Sequence, residues 1–233
     1  MNRFLRIGLF AIGLGIFMSS VSVTDTAAQG PLTEILRRMD LNNKALQSLT
    51  AKVTMVKTNT QLGIADTTSG NINYLPKTGG RPMYIRVDWT QPVEEQMSVI
   101  GNSYELYRPR LGQVIQGKTD SAKNNAAAGG ALGFMSMSKE QLNANYERSY
   151  VDRELLADGT KTSHIHLTPK MAMSYQSAEL WVDDDGFPRQ ALIAEKNNDT
   201  TKVLLSDIKK NLTLNASIFR LNYDRKKVRI IPG

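Results

Sequence analysis

The chain has 233 residues, 29 basic against 22 acidic side chains, a formal charge of +7 and no cysteine. Without cysteine it has no disulfide, no thiolate metal site, no cysteine nucleophile and no lipid anchor on a cysteine behind an export signal. The basic surplus is spread, with small clusters at Lys209-Lys210 and Arg225-Lys226-Lys227, which suits anionic lipid or partner surfaces and not a nucleic-acid groove.

Residues 1–28 read as an export signal: Arg3 and Arg6 precede a long apolar run ending in small residues, and Thr26 and Ala28 place cleavage near Ala28. Residues 29–233 then form one domain, with no second apolar run of membrane-spanning length. Leu32, Ile35, Leu36 and Met39 recur at helical spacing, with Pro31 in a tolerant first turn and Arg37 and Arg38 facing away. Strands follow. Leu49 to Asn59 alternates Leu49, Ala51, Val53 and Met55 against Lys52, Thr54 and Lys57 only imperfectly but is rich enough in β-branched residues to be a strand, and a second strand runs from about Ser69 to Leu75.

The stretch from Arg81 to Pro92 carries the sharpest period of two. Met83, Ile85, Val87 and Trp89 alternate with Tyr84, Arg86 and Asp88 between two prolines, which fit strand ends because proline cannot donate to a ladder. Arg81 shares the parity of the apolar row. Either a guanidinium stands at the mouth of an apolar surface, or Arg81 precedes the strand and is solvated.

Hairpins follow from Gln96 to Gln116, turning at Gly101-Asn102 and near Pro109 and Gly112. Gly117 to Gly130 reads as a loop, and Ala131 to Asn145 as one or two short helices carrying Leu132, Phe134, Met135, Met137 and Leu142. Strands resume over Tyr146–Leu156, Thr162–Leu167, Ser177–Val182, Arg189–Glu195 and Thr201–Ile208, with a last short one near Val228–Ile231. The run Asp183-Asp184-Asp185-Gly186 reads as a hairpin turn, since it lacks the alternate spacing of a calcium loop. The fold class is therefore mainly β with some α: about eleven antiparallel strands in a curled sheet, either a plugged barrel or a cup with a helical lid.

The search for chemistry finds little. His164 and His166 share one strand face, but no third ligand stands at metal spacing, so no metal site and no cofactor are expected. There is no nucleophile elbow, phosphate loop or zinc-protease signature, and aromatic residues are too scattered for a base-stacking platform. A binding protein is favoured over an enzyme.

With these elements in order, the chain resembles the periplasmic outer-membrane lipoprotein carrier family (LolA-like). The resemblance rests on Arg81-Pro82 ahead of the aromatic and apolar strand, on Thr90-Gln91-Pro92 closing it, on the hairpins of SVIGNSYELYRPRLGQV, and on the tail from Leu180 to Asn211 with SIFRL behind it. It covers nearly all of the mature chain. Asn102 stands where the family usually has aspartate before a glycine, and the Ala-Gly loop at 126–130 and the lengthened approach at 77–80 depart from its pattern.

The resemblance implies an incomplete (open) antiparallel barrel with a helical lid. Its function would be that of a soluble, monomeric periplasmic carrier, non-enzymatic, taking lipoprotein acyl chains from an inner-membrane lipoprotein-releasing transporter to an outer-membrane receptor. On the family pattern Arg81, Met83, Ile85, Val87 and Trp89 would form the lipid-binding cavity, Arg81 also tying down the lid. Leu32, Ile35, Leu36, Met39, Phe134, Met135 and Met137 would form the lid's apolar side. The alternative is a lipid-sensing envelope-stress regulator with the same fold.

Overall fold

The computed structural model describes residues 26–119, 133 and 137–233. The export-signal reading, apart from its last residues, falls outside that range, and so do Phe134 and Met135 of the predicted lid.

A first helix, α1 (Thr26–Ala45), is followed by six strands: β1 (Leu49–Asn59), β2 (Ile64–Leu75), β3 (Tyr84–Gln91), β4 (Glu95–Ile100), β5 (Ser103–Arg108) and β6 (Gln113–Lys118). A short helix, α2 (Lys139–Asn145), opens the second run: β7 (Tyr146–Leu155), β8 (Lys161–Pro169), β9 (Tyr175–Asp183), β10 (Pro188–Glu195) and β11 (Thr200–Lys210). A 3-10 turn at Ala216–Phe219 precedes β12 (Arg229–Pro232).

All twelve strands join one sheet in the order β12, β6, β5, β4, β3, β2, β1, β11, β10, β9, β8, β7. Its ends do not pair with each other, so the sheet is open and not closed into a barrel. Every neighbouring pair is antiparallel except β12 with β6, which is parallel from Arg229 opposite Gln113 to Pro232 opposite Gln116. Short connections force antiparallel neighbours, whereas β12 returns from far along the chain and is free of that constraint.

Alternation sets which face is which. On β3, Val87 and Trp89 are buried and Ile85 packs beside them; across the ladders they lie opposite Ile72, Gly70 and Tyr74 of β2. The same face continues through Val53 and Met55, Val203 and Leu205, Ala191 and Ile193, Ala178 and Leu180, and Ile165 and Leu167. One core thus runs across both halves of the sheet, and α1 lies on it.

Two expectations for α1 are corrected. Pro31 lies inside the helix, not in its first turn, because α1 starts at Thr26, in a stretch whose small residues gave no helical period. Arg38 does not face away: its long stem lets the guanidinium reach a turn 146 residues further along the chain.

The opposite face is covered only in part. After β11 the chain crosses β3 to β6 as a strap, burying Phe219 completely, with its ring 5.3 Å from that of Tyr84. Arg86 donates to the Ile218 carbonyl at 2.6 Å, and the buried Ser98 hydroxyl donates to the carbonyl of Phe219. The strap's own backbone acceptors are thereby satisfied by side chains of the sheet it crosses.

Candidate functional site

The candidate site is the apolar face beneath α1. Ile35, Leu36 and Met39, spaced to share one side of the helix, are 2–5% exposed, and Leu32 and Met137 pack at the margin of the same core. Leu142 of α2 is fully buried there, and a capping box fixes the start of α2: Ser138 accepts from the Gln141 backbone while the Gln141 side chain accepts from the Ser138 backbone.

A polar clasp holds the helix at the β9–β10 turn. Arg38 donates to the Asp184 carbonyl at 2.7 Å and Asn42 donates to that of Asp185 at 3.2 Å. Asp184 also pairs with Arg153 of β7 at 2.6 Å. Gly186 closes the turn at φ +82°, and a Cβ there would stand 2.3 Å from the Arg38 carbonyl carbon, so the helix backbone rests directly on the glycine. The Asp-Asp-Asp-Gly run is a hairpin turn, as its sequence indicates, and it is also the seat of α1. Sequence reasoning missed that second role; its only signal was a glycine where a left-handed turn residue is needed.

The C-terminal end of α1 is anchored separately. Asn211, just beyond β11, accepts from the Gln47 backbone at 2.8 Å and donates to the Ala45 carbonyl at 3.4 Å, satisfying one of the helix's terminal acceptors. The helix is therefore fixed at one end and clasped part-way along.

Between helix and sheet, the described side chains of α1, α2 and the strands pack into one core. A notch lined by Met39, Asn42, Leu46, Met137, Gly186 and Phe187 holds about 10 Å³, room for roughly one water. This structure is a covered, packed form of the face.

The predicted cavity residues separate into two groups. Val87 and Trp89 lie in the core and Ile85 at its edge, whereas Met83 and Arg81 precede β3. Arg81 forms an isolated bridge with Thr78, which closes a tight turn and delays the strand until Tyr84. The guanidinium donates to the Pro76 carbonyl at 3.4 Å, and its Nε is buried without a hydrogen-bond partner among the described residues. Opposite Trp89, β2 carries Gly70, and a Cβ there would stand 2.2 Å from the Asp88 carbonyl oxygen, so the backbones of β2 and β3 approach closely at this point.

Among titratable groups near the clasp, burial raises the Asp183 carboxyl above its ordinary value, partly offset by the Phe187 N–H that it accepts at 2.8 Å. Burial also raises Tyr175, whose hydroxyl bonds that of Tyr146 at the edge of the same face.

Comparison with known proteins agrees with this architecture. The chain is similar in structure to MucB, at 12% identity and a TM-score of 0.56, over 83% of this chain and 63% of that one. It thus spans less than two thirds of MucB. It is also similar to an uncharacterised conserved protein from Thermus thermophilus, at 11% identity and a TM-score of 0.54, over 87% and 99% of the two chains. A LolA superfamily protein from Nitrosomonas europaea matches at 15% identity and a TM-score of 0.43, over 81% and 97%. No curated protein sequence matches. Identities this low concern the fold alone. The family model described as outer membrane lipoprotein carrier protein LolA matches residues 44–222, from the last turn of α1 through the strap, and by that match the chain belongs to the LolA family.

Proposed function

We propose that the chain is a soluble periplasmic carrier that binds lipoprotein acyl chains on the face beneath α1 and shuttles them from inner to outer membrane, with no covalent chemistry. The observation that carries the reading is the manner of closure: a continuous apolar face lies beneath α1, which is held there by one apolar row and a small polar clasp.

Magnitudes decide whether cargo can displace the helix. Ile35, Leu36 and Met39 stabilise the closed form by roughly 1.5–3 kcal/mol each. One acyl chain of about sixteen carbons gains roughly 12 kcal/mol at ~0.8 kcal/mol per methylene. Cargo therefore outcompetes the lid, and the energy needed to lift α1 is subtracted from the affinity, which keeps release to a receptor feasible. The helix would swing about its Asn211-anchored end while the contacts to Asp184 and Asp185 break. Trp89, Val87 and Ile85 would then line the acyl site with Met83 at its rim, and the unpartnered Arg81 Nε is suited to the polar end of the cargo. Cleavage near Ala28 would leave Pro31 close to the helix start, where its missing N–H costs least. An inner-membrane lipoprotein-releasing transporter and an outer-membrane receptor are the partners this role requires.

Native mass spectrometry of the protein mixed with a triacylated lipopeptide tests the reading. One adduct per chain is expected, lost in Trp89→Glu, with association several-fold faster in Arg38→Ala because the clasp is open. No adduct in either wild type or Arg38→Ala overturns the carrier role. Uptake of free phospholipid in preference to the lipopeptide would instead support the lipid-sensing regulator.

A further inference from the structure

We propose that His164, Asp152 and Glu154 form a divalent-cation site of the zinc class on the sheet face turned away from α1. The site is independent of the acyl-binding reading. His164 alternates with Ile165, which is fully buried in the core, so its ring stands on the opposite face. Asp152 and Glu154 come from the neighbouring edge strand β7, whose register slips between Tyr150 and Arg153. Such a bulge re-aims side chains, and here both carboxylates come toward one imidazole.

The ring has carboxylates at both of its nitrogens. His164 Nε2 lies 2.6 Å from Glu179 Oε2. The other nitrogen, Nδ1, lies 3.5 Å from Asp152 Oδ1 and 4.0 Å from Glu154 Oε2, so two carboxylates gather on the side of the ring that Glu179 leaves free. Carboxylates brought this close together favour a positive charge between them. The donor atoms of the three residues lie within 4.8 Å of one another. A tetrahedral ion with ligands at ~2.1 Å separates them by about 3.4 Å, close to the His164–Asp152 distance.

The surroundings have the form of a supporting shell. Glu179 on the far ring nitrogen matches the carboxylate–histidine pairing that orients metal-bound imidazoles. The ring stacks on Trp181 with centroids 4.3 Å apart, and Trp181 donates its indole N–H to Glu154 at 2.6 Å. His164 is thus packed, with a side chain 13% exposed, while Asp152 at 60% leaves the remaining coordination positions to water. His166 approaches only Glu179, at 3.8 Å, and is not a ligand. The imidazole with two carboxylates suits zinc better than magnesium, which prefers an all-oxygen octahedron.

Calorimetric titration of the purified protein, free of any histidine tag, with Zn²⁺ at pH 7.5 tests the proposal. One ion per chain is expected, with a change in Trp181 emission. His164→Gln and the well-exposed Asp152→Asn should each weaken binding at least tenfold, Glu179→Gln about tenfold, and His166→Gln less than twofold. The absence of saturable binding overturns the site, and so does binding that survives both His164→Gln and Asp152→Asn. Equal displacement by Mg²⁺ would reduce the cluster to counterion attraction and overturn it as well.

Discussion

Gly186 meets two demands at once, a positive φ and backbone contact with Arg38. Alanine there should lower stability by about 2 kcal/mol or more, of which the left-handed conformation accounts for ~1–2 kcal/mol. Gly159 is the control: it has φ +79° but open space where a Cβ would go, so Gly159→Ala should lose only the conformational part. Urea unfolding of both variants checks this, and equal losses would remove Gly186 from the seat of α1. Asp183, in the same turn, has a carboxyl raised by burial. Because its folded value lies above the unfolded one, its charge disfavours the fold at neutral pH, and that penalty is relieved as the pH falls through the folded value. Asp183→Asn keeps an acceptor for the Phe187 N–H without the charge. Stability at pH 7 should stay level or rise by up to about 1 kcal/mol; a fall would mean that the attraction of Lys210 and of Arg189, the latter 3.9 Å away, outweighs the burial.

Among elements, the strap tests whether the two faces are energetically separate. Phe219→Ala should lower stability by about 3–5 kcal/mol, as for a large buried ring, while lipopeptide uptake by the remaining folded protein is unchanged. Altered uptake would tie the strap to the acyl site. The elements also show what one-dimensional pattern can carry. β1 was legible from its β-branched content, and the imperfect alternation of its sequence becomes a regular burial of Leu49, Ala51, Val53 and Met55 along its first half. β2 was read only from Ser69, since Ile64 to Thr67 are exposed on both sides and leave no pattern. The apolar row of α1 was legible and its seat was not, for Arg38 finds Asp184 only through the tertiary fold. Parity placed Val87 and Trp89 on the core face, and of the two readings it left open for Arg81 the structure has the residue ahead of the strand, in a local bridge with Thr78. The carboxylates beside His164 were invisible because their approach depends on a cross-strand register and a bulge.

At the scale of the molecule, the sheet consists of two sequence-local meanders, β1 to β6 and β7 to β11, joined through the β1–β11 ladder, with β12 added at one edge. Val53 and Leu205 pair across that ladder, each 1% exposed, and the core continues through it without a break. The halves should therefore unfold together. The chain's two tryptophans report on them separately, Trp89 from β3 and Trp181 from β9. Selective emission from single-tryptophan variants should give coincident denaturation midpoints, and separated midpoints would show that each meander is its own cooperative unit.

That ladder also bears on how the protein comes into being. Leu49 pairs with Lys210, 161 positions later, so a chain emerging amino end first completes β1 to β6 long before β11 exists to cover the free edge of β1. During that interval the nascent half exposes both an unpaired edge and an apolar face, and α1, made earlier still, has no seat, because Asp184, Asp185, Gly186 and Asn211 all come later in the chain. The first element to be made is thus the last to be seated, and the face it covers stays open until the final third of the chain has arrived.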